Sequence, residues 1–191
     1  MLEANFYLND GRFTGRGYAN LNDIASRITG ETLIDNIDEL VKSLPFKKDS
    51  EVWRKRTASQ IIEDRFVTGC TDSALVFVTL ARIKGIPAAY VESIEEHFLQ
   101  NPEIGDIQGH IFVDVYSERG LVSYNPGHGI TDKQRKIYLW SPKDPDRRYT
   151  EIARGLDFSQ LYVNDELGPI ELITEKQIRN LINKLRGLPP Q

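Results

Sequence analysis

The longest apolar segment of the chain is the feature that most constrains its fold. It begins at Cys70, continues to Lys84 and is ended by Gly85-Ile86-Pro87. A segment of this length without internal Gly or Pro predicts an α-helix. Because it is apolar on most of its circumference, we expect the helix to run through the core and not over the surface. Arg82 and Lys84 interrupt it, and it is too short to span a bilayer.

The patterns around this segment predict helices first and strands afterwards. Before Cys70, an apolar stripe closed by Pro45 predicts one helix and a second apolar pattern predicts another; after Pro87 the periodicity changes to that of strands. The predicted elements are a short strand at 6–8, helices over 33–44, 52–63 and 70–84, strands over 88–93, 109–116, 121–125 and 137–140, a charged loop over 141–148 and, after a capping box at 174, a terminal helix.

This order predicts an α+β fold in which the cysteine helix packs on a mostly antiparallel sheet. The sequence shows no repeat and no shift in composition. We therefore expect one domain over 1–191, with a core at about 50–165, a helical part at 20–50 and a C-terminal helix at 174–187.

Charge and composition narrow the function. The net charge is −4 and no basic cluster occurs, so the chain lacks the electrostatic footprint of a nucleic-acid-binding protein. A single cysteine excludes an internal disulfide and fits a reducing compartment. The N-terminus has neither a basic nor a continuous apolar region of the signal-peptide kind, so we expect a cytoplasmic protein without membrane contact.

That single cysteine, Cys70, has the position of a reactive thiol. The first turn of a helix offers unpaired N–H groups and the positive end of the dipole, which favour the thiolate. Forty residues later His110 lies on a predicted strand, and Asn125 lies on the strand that returns from it. Cysteine, histidine and asparagine in this order are typical of thiol hydrolases and acyl transferases.

Each of these residues is a candidate with a defined role. Cys70 is the nucleophile and His110 is the base that later protonates the leaving amine. Counting through a turn at 117–120 places Asn125 beside His110, where it would orient the imidazole. For the oxyanion or the cleft wall the candidates are Gln60, which a helix over 52–63 would bring close, His128 and Trp53.

Structural explanations compete with this interpretation. A lone cysteine at a helix start is often a small buried hydrophobe, and Asn125-Pro126 can be a simple turn. Asp72 would complement the helix dipole, and Asp114 would be a solvated acid on the sheet face opposite Ile111, Val113 and Val115. A metal site from Cys70, His110 and His128 lacks any short ligand spacing, so we expect neither a metal nor another cofactor.

The segment Thr68-Gly69-Cys70-Thr71-Asp72 through Ile86-Pro87-Ala88 resembles the nucleophile helix of the transglutaminase-like superfamily. His110, Asp114 and Asn125-Pro126 are similar to the histidine and hairpin that follow in that family. The resemblance spans about 55–127, with a weaker similarity at 155–158. It implies a papain-like α+β fold with Cys70, His110 and Asn125 at the site.

The sequence departs from the family pattern in two places and from the papain pattern in a third. Asn125 stands where the family usually has aspartate, which keeps orientation but removes the charge that stabilises imidazolium. Thr71 replaces an aromatic residue often found after the cysteine. Asp64 stands where papain-like enzymes have a glutamine oxyanion donor.

The residues and the resemblance together predict a cysteine protease or amidase, or a transglutaminase-like acyl transferase. Such an enzyme would act on peptide or protein amides through a Cys70 thioester, with hydrolysis favoured over transfer. The alternative is an inactive transglutaminase-like module that binds a protein partner.

Overall fold

A computed structural model describes residues 4–97, 109–117, 120–131, 133–134, 137–141 and 144–162, together with Asn180 and Asn183. Within these ranges the chain forms a short 3-10 helix, four longer α-helices and eight strands. They are the 3-10 helix Ala4–Leu8, α1 Ala19–Arg27, α2 Leu33–Ser43, α3 Ala58–Asp64, α4 Cys70–Ile83, β1 Ala88–Glu95, β2 Gly109–Ser117, β3 Gly120–Asn125, β4 Gly129–Thr131, β5 Lys133–Gln134, β6 Ile137–Ser141, β7 Asp144–Asp157 and β8 Gln160–Tyr162.

The strands form one antiparallel sheet with the order β4-β3-β2-β1-β7-β6-β5, and β8 pairs with β7. The other helices pack against α4, and α4 packs on β1 and β2. This arrangement confirms the predicted α+β class and the cysteine helix packed on an antiparallel sheet. No helix in the described ranges is both long and apolar enough to cross a membrane.

Helix α4 is the centre of the fold, as its sequence predicts. Of its 14 residues, 11 are buried, which leaves almost no surface for solvent. Its side chains share a core with one face of the sheet, where Tyr90, Ile111, Val113 and Val115 lie. Alternation along the strands sends Val91, Phe112 and Tyr149 to the opposite face, where they form a second cluster.

Two local predictions about the N-terminal third are wrong. Residues 6–8 form part of a 3-10 helix and not a strand, and the carbonyl of Tyr7 accepts a bond from Arg82 Nε at 2.8 Å instead of joining a ladder. The helix predicted over 52–63 begins only at Ala58, because Thr57 and Gln60 form a capping box there. Arg54, which lies before α3, has φ 54° and is therefore in the left-handed region and not in α-helical geometry.

Two predictions about the sheet are also wrong. Residues 144–148, expected in a loop, belong to β7, which pairs with both β6 and β1. Pro145 lies between the paired residues Asp144 and Arg148, where the register with β6 is irregular, and a proline is tolerated at such a position. Asp114 is fully buried and not solvated. It accepts a bond from Ser123 Oγ at 2.6 Å and forms an ion pair with Arg154 Nη2 at 3.0 Å, which makes its burial tolerable.

The C-terminal helix predicted over 174–187 lies outside the described residues except for Asn180 and Asn183, both of which are helical.

Candidate active site

Cys70 opens α4 behind a turn that a buried carboxylate holds in place. Asp72 Oδ2 accepts bonds from the backbone N–H and the hydroxyl of Thr68, both at 2.8 Å, and forms an ion pair with Arg56. Asp72 is fully buried, so these bonds are shielded from water. The turn that delivers the thiol is therefore fixed by side-chain bonds and not only by the helix.

A wall beside the thiol comes from the segment that follows α2. Phe46 and Val67 form a parallel bridge, in which Val67 N–H donates to Pro45 O at 3.0 Å and Lys47 N–H donates to Val67 O at 2.9 Å. These bonds join the segment after α2 to the one that leads into Cys70. Phe46 itself remains 68% exposed.

His110 and Asn125 meet on neighbouring strands. The register pairs Val113 with Tyr124, which puts Asn125 diagonal to His110 on the same face of the sheet. His110 Nε2 lies 2.8 Å from Asn125 Oδ1, and both residues are buried. Because an amide oxygen can only accept, Nε2 carries the proton and donates it, and Nδ1 carries the lone pair.

One cleft of about 680 Å³ brings Cys70, His110 and Asn125 together. His128 also lines it, on an exposed turn between β3 and β4 whose Gly127 N–H donates to Asp38 Oδ1 at 2.7 Å. The described lining residues are Val41, Lys42, Leu44, Pro45, Phe46, Val67, Gly69, Cys70, Ser73, Gly109, His110, Asn125, Pro126, Gly127, His128, Arg147 and Tyr149.

Gln60 and Trp53, two of the sequence candidates, do not line this cleft. The Gln60 carboxamide is exposed and accepts the N–H of Thr57 at 2.9 Å, so it is committed to the cap of α3. Trp53 is 51% exposed, and its ring lies 5.0 Å from the Arg54 guanidinium carbon. The roles of these two side chains at the site stay predictions, and Gln60 lies away from the cleft because its carboxamide caps α3.

Backbone donors replace Gln60 beside the sulfur. The N–H groups of Ile111 and Thr71 interact with the Cys70 thiol and favour its charged form, which lowers its pKa. Thr71 is in the first turn of α4, where N–H groups lack helical partners. Ile111 directly follows His110 in β2, so only the folded sheet brings its N–H to the thiol.

Burial nevertheless dominates the electrostatics of the pair. Cys70 is only half-buried as a residue, yet burial of the thiol and the nearby Glu92 carboxylate raise its pKa to about 11. The pKa of His110 is lowered to about 4, mainly by burial of the imidazole; the bond to Asn125 opposes this shift, and His128 and Arg147 contribute to it. Both groups are therefore neutral near pH 7. The first turn of the helix favours the thiolate, as the sequence predicts, but desolvation outweighs it in this state.

An ion pair between Arg54 and Glu92 lies near the thiol, outside the cleft lining. Both side chains are largely buried. They act on Cys70 in opposite senses, because Glu92 raises the pKa of the thiol and Arg54 lowers it. Within the described ranges, no group of three His, Cys, Asp or Glu side chains could hold a metal ion.

Comparison with known proteins identifies the family. The model of the transglutaminase-like superfamily matches residues 22–126, more than half of the chain. No curated protein matches the sequence. Among solved structures, the chain resembles a "putative cysteine protease" from Cytophaga hutchinsonii with a TM-score of 0.59 and 18% identity, over 85% of this chain and 53% of that one. The chain thus spans about half the length of that protein, and at this identity the likeness shows the fold alone. On the strength of the family match, the chain belongs to the transglutaminase-like superfamily.

Proposed function

We propose that the protein is a thiol-dependent hydrolase or acyl transferase that acts on amide bonds through a Cys70 thioester. The observation that carries the proposal is the 2.8 Å bond between His110 Nε2 and Asn125 Oδ1, in the cleft that also holds Cys70. This bond gives His110 the tautomer and orientation of a base whose Nδ1 can take a proton.

The reaction starts from the neutral pair. As Sγ of Cys70 attacks the carbonyl carbon of the substrate, the thiol proton moves to Nδ1 of His110. The N–H groups of Thr71 and Ile111, which interact with the thiol at rest, are the donors that we assign to the developing oxyanion. His110 then gives the proton to the leaving amine, and the C–N bond breaks to leave a thioester on Cys70.

The thioester is released by water or by a second amine. His110 takes a proton from either acceptor, and the Cys70 thiol leaves once the new bond to the carbonyl carbon has formed. We favour hydrolysis over transfer, because His128 and Phe46 at the rim of the cleft are exposed to solvent. The substrate in this proposal is a peptide or protein amide.

A second candidate function is an inactive module that binds a protein partner in the cleft. The observation that favours it is the protonation state: with a thiol pKa of about 11 and an imidazole pKa of about 4, the resting pair is not ionised. A module that only binds a partner would use the cleft, and it would not require Cys70 to ionise.

Acylation by p-nitrophenyl acetate separates the two functions. We expect release of p-nitrophenolate, an acetyl adduct on Cys70 in mass spectrometry, and partition of that adduct between water and added cadaverine. His110→Ala should slow acylation by about 10²-fold. His97→Gln, which removes a histidine outside the cleft, serves as the matched control.

Acylation of wild type at the rate of His110→Ala would contradict the enzyme and leave the binding module. Adduct decay that gives only acetate in the presence of cadaverine would assign hydrolysis, whereas formation of acetyl-cadaverine would assign transfer.

A further inference from the structure

The cleft differs in charge from the rest of the protein. Among the described residues that line it, Lys42, His128 and Arg147 are basic and none is acidic. The chain as a whole has 28 acidic and 24 basic Lys or Arg residues. Basic side chains are therefore concentrated in the cleft, where a substrate would lie, although the chain as a whole has a net charge of −4.

Carboxylates that interact with these three basic side chains are not among the described lining residues of the cleft. Glu39 is 3.0 Å from Lys42 and Glu95 is 3.5 Å from Arg147, and both pairs are partly exposed to solvent. Asp38, which interacts with His128, is buried and accepts the N–H of Gly127. The exposed pairs of Lys42 with Glu39 and of Arg147 with Glu95 are weak, so Lys42 and Arg147 still attract a further anion. The three basic side chains line the cleft, and these carboxylates are not among its described lining residues.

Two of the basic side chains act on the same point in the cleft. His128 and Arg147 come from different elements, the β3–β4 turn and β7, yet both lower the pKa of His110. The positive potential thus reaches the proposed base itself. A negative group bound between them would offset that potential and make His110 a stronger base, so binding of an anion and proton transfer would support each other.

An apolar surface lies next to this charge. Val41, Leu44 and Phe46 line the wall on the side of α2, and Phe46 is 68% exposed. Lys42 is on the same helix end, and its backbone packs against Gly127, at 3.4 Å from the position of an added Cβ. The cleft therefore presents an apolar wall beside a cationic one.

We propose that the cleft selects acyl substrates that carry a carboxylate close to the scissile amide, and that Lys42, His128 and Arg147 bind this carboxylate. The inference rests on the proposed function and names its substrate class: peptides with a negative charge within a residue or two of the bond that Cys70 attacks. An apolar neighbour would contact Phe46.

Alkylation of Cys70 by iodoacetate and by iodoacetamide tests the inference without any turnover. The reagents have nearly the same size, and only iodoacetate is an anion. We expect the ratio of the iodoacetate rate to the iodoacetamide rate, measured at pH 7 and low salt, to exceed that of 2-mercaptoethanol by about tenfold. Added salt at about 0.5 M should return the ratio to that of the free thiol, because it screens the cations.

Two variants and a control assign the effect. Arg147→Gln and Lys42→Gln should each lower the ratio by about threefold. Lys84→Gln removes the same charge at the far end of α4, about 20 Å from Cys70 along the helix, and should keep the wild-type ratio. A wild-type ratio equal to that of 2-mercaptoethanol would overturn the inference, as would a raised ratio that neither variant nor salt lowers.

Three chloroacetyl probes distinguish an acidic side chain from a chain end as the source of the carboxylate. N-chloroacetyl-glutamic acid α-amide, N-chloroacetyl-glutamine and N-chloroacetyl-glutamine amide share one skeleton. Faster reaction of the first assigns an acidic side chain, and faster reaction of the second assigns a terminal carboxylate. Equal rates for all three would overturn the inference.

These results are separable from the fate of the proposed function. A raised ratio of the iodoacetate rate to the iodoacetamide rate, in a protein that forms no acyl-enzyme, would support the anion site and contradict the proposed enzyme. An acyl-enzyme in a protein with the ratio of a free thiol keeps the enzyme and discards the anion site.

Discussion

Replacement of Asn125 by aspartate tests the geometry on which the proposed chemistry depends. Asn125 Oδ1 lies 2.8 Å from His110 Nε2, and both residues are at most 4% exposed. Asn125→Asp places a carboxylate at the same distance with little change in shape. We expect the folded protein to retain its stability to within about 2 kcal/mol, because the carboxylate and the imidazole can bond as the amide does.

The magnitude follows from the pKa of His110. Burial holds it at about 4, and an opposite charge in contact raises a pKa by about 1 to 3 units. In Asn125→Asp the imidazole should therefore titrate between about 5 and 7, which is about 1.4 to 4 kcal/mol in favour of imidazolium. A more readily formed imidazolium also makes it easier for Cys70 to lose its proton, so alkylation of Cys70 by iodoacetamide at pH 7 should become faster.

NMR titration of the imidazoles measures the shift directly. The chain has three histidines, and the His110 signal is the one lost in His110→Gln. Asn36→Asp adds the same charge on the exposed surface of α2 and serves as the control, with an expected change below about half a unit. A folded Asn125→Asp protein whose His110 titrates within about half a unit of wild type would refute the contact between Asn125 and His110, and with it the orientation of the base.

Two further substitutions probe stability. Because the folded pKa of His110, about 4, lies below the unfolded value near 6.5, the unfolded state binds the proton more readily; stability should fall by about 3 kcal/mol as pH drops from about 6.5 to 4. Urea unfolding at several pH values should show this loss in wild type and its absence in His110→Gln; equal acid sensitivity of the two would contradict it. Asp72→Asn removes the buried one of the two carboxylates that pair with Arg56, leaves the more exposed Asp64, and should cost about 3 kcal/mol in urea unfolding. Asp23→Asn, which breaks an exposed pair with Arg27, should cost less than about 0.5 kcal/mol, and similar losses in the two variants would refute the assigned role of Asp72.

Local patterns in the sequence were sufficient for the central elements. The helix from Cys70 and the hairpin of β2 and β3 follow from periodicity, because each is a nearly continuous stretch whose own residues determine its shape. The bond between His110 and Asn125 follows from the same hairpin, since a short turn fixes the register across it. The catalytic roles of these residues remain predictions.

Features that depend on residues distant in the sequence could not be predicted from local patterns. Asp114 looks like a solvated acid until Arg154, forty residues later, is placed beside it. Arg147 and Tyr149 line the cleft because β7 pairs with β1, and the charged, proline-containing stretch before them gave no sign of a strand. The high pKa of Cys70 could not be predicted locally, because the helix terminus is visible in the sequence and the burial of the thiol is not.

The buried Arg82 sets a minimum length for any fragment that could keep the site. Its guanidinium, fully buried at the end of α4, donates to the carbonyls of Tyr7, Ala88 and Leu156 and to Thr14 Oγ1. Two of these acceptors precede the residues matched by the family model, 22–126, and one follows them.

A protein cut to the matched residues would keep Cys70, His110 and Asn125 in sequence. It would also leave a buried cation with Ala88 as the only one of its four acceptor residues, a condition that costs several kcal/mol and is comparable to the whole stability of a domain. The contacts that hold the C-terminal end of α4 therefore extend beyond the residues matched by the family model, from Tyr7 to Leu156.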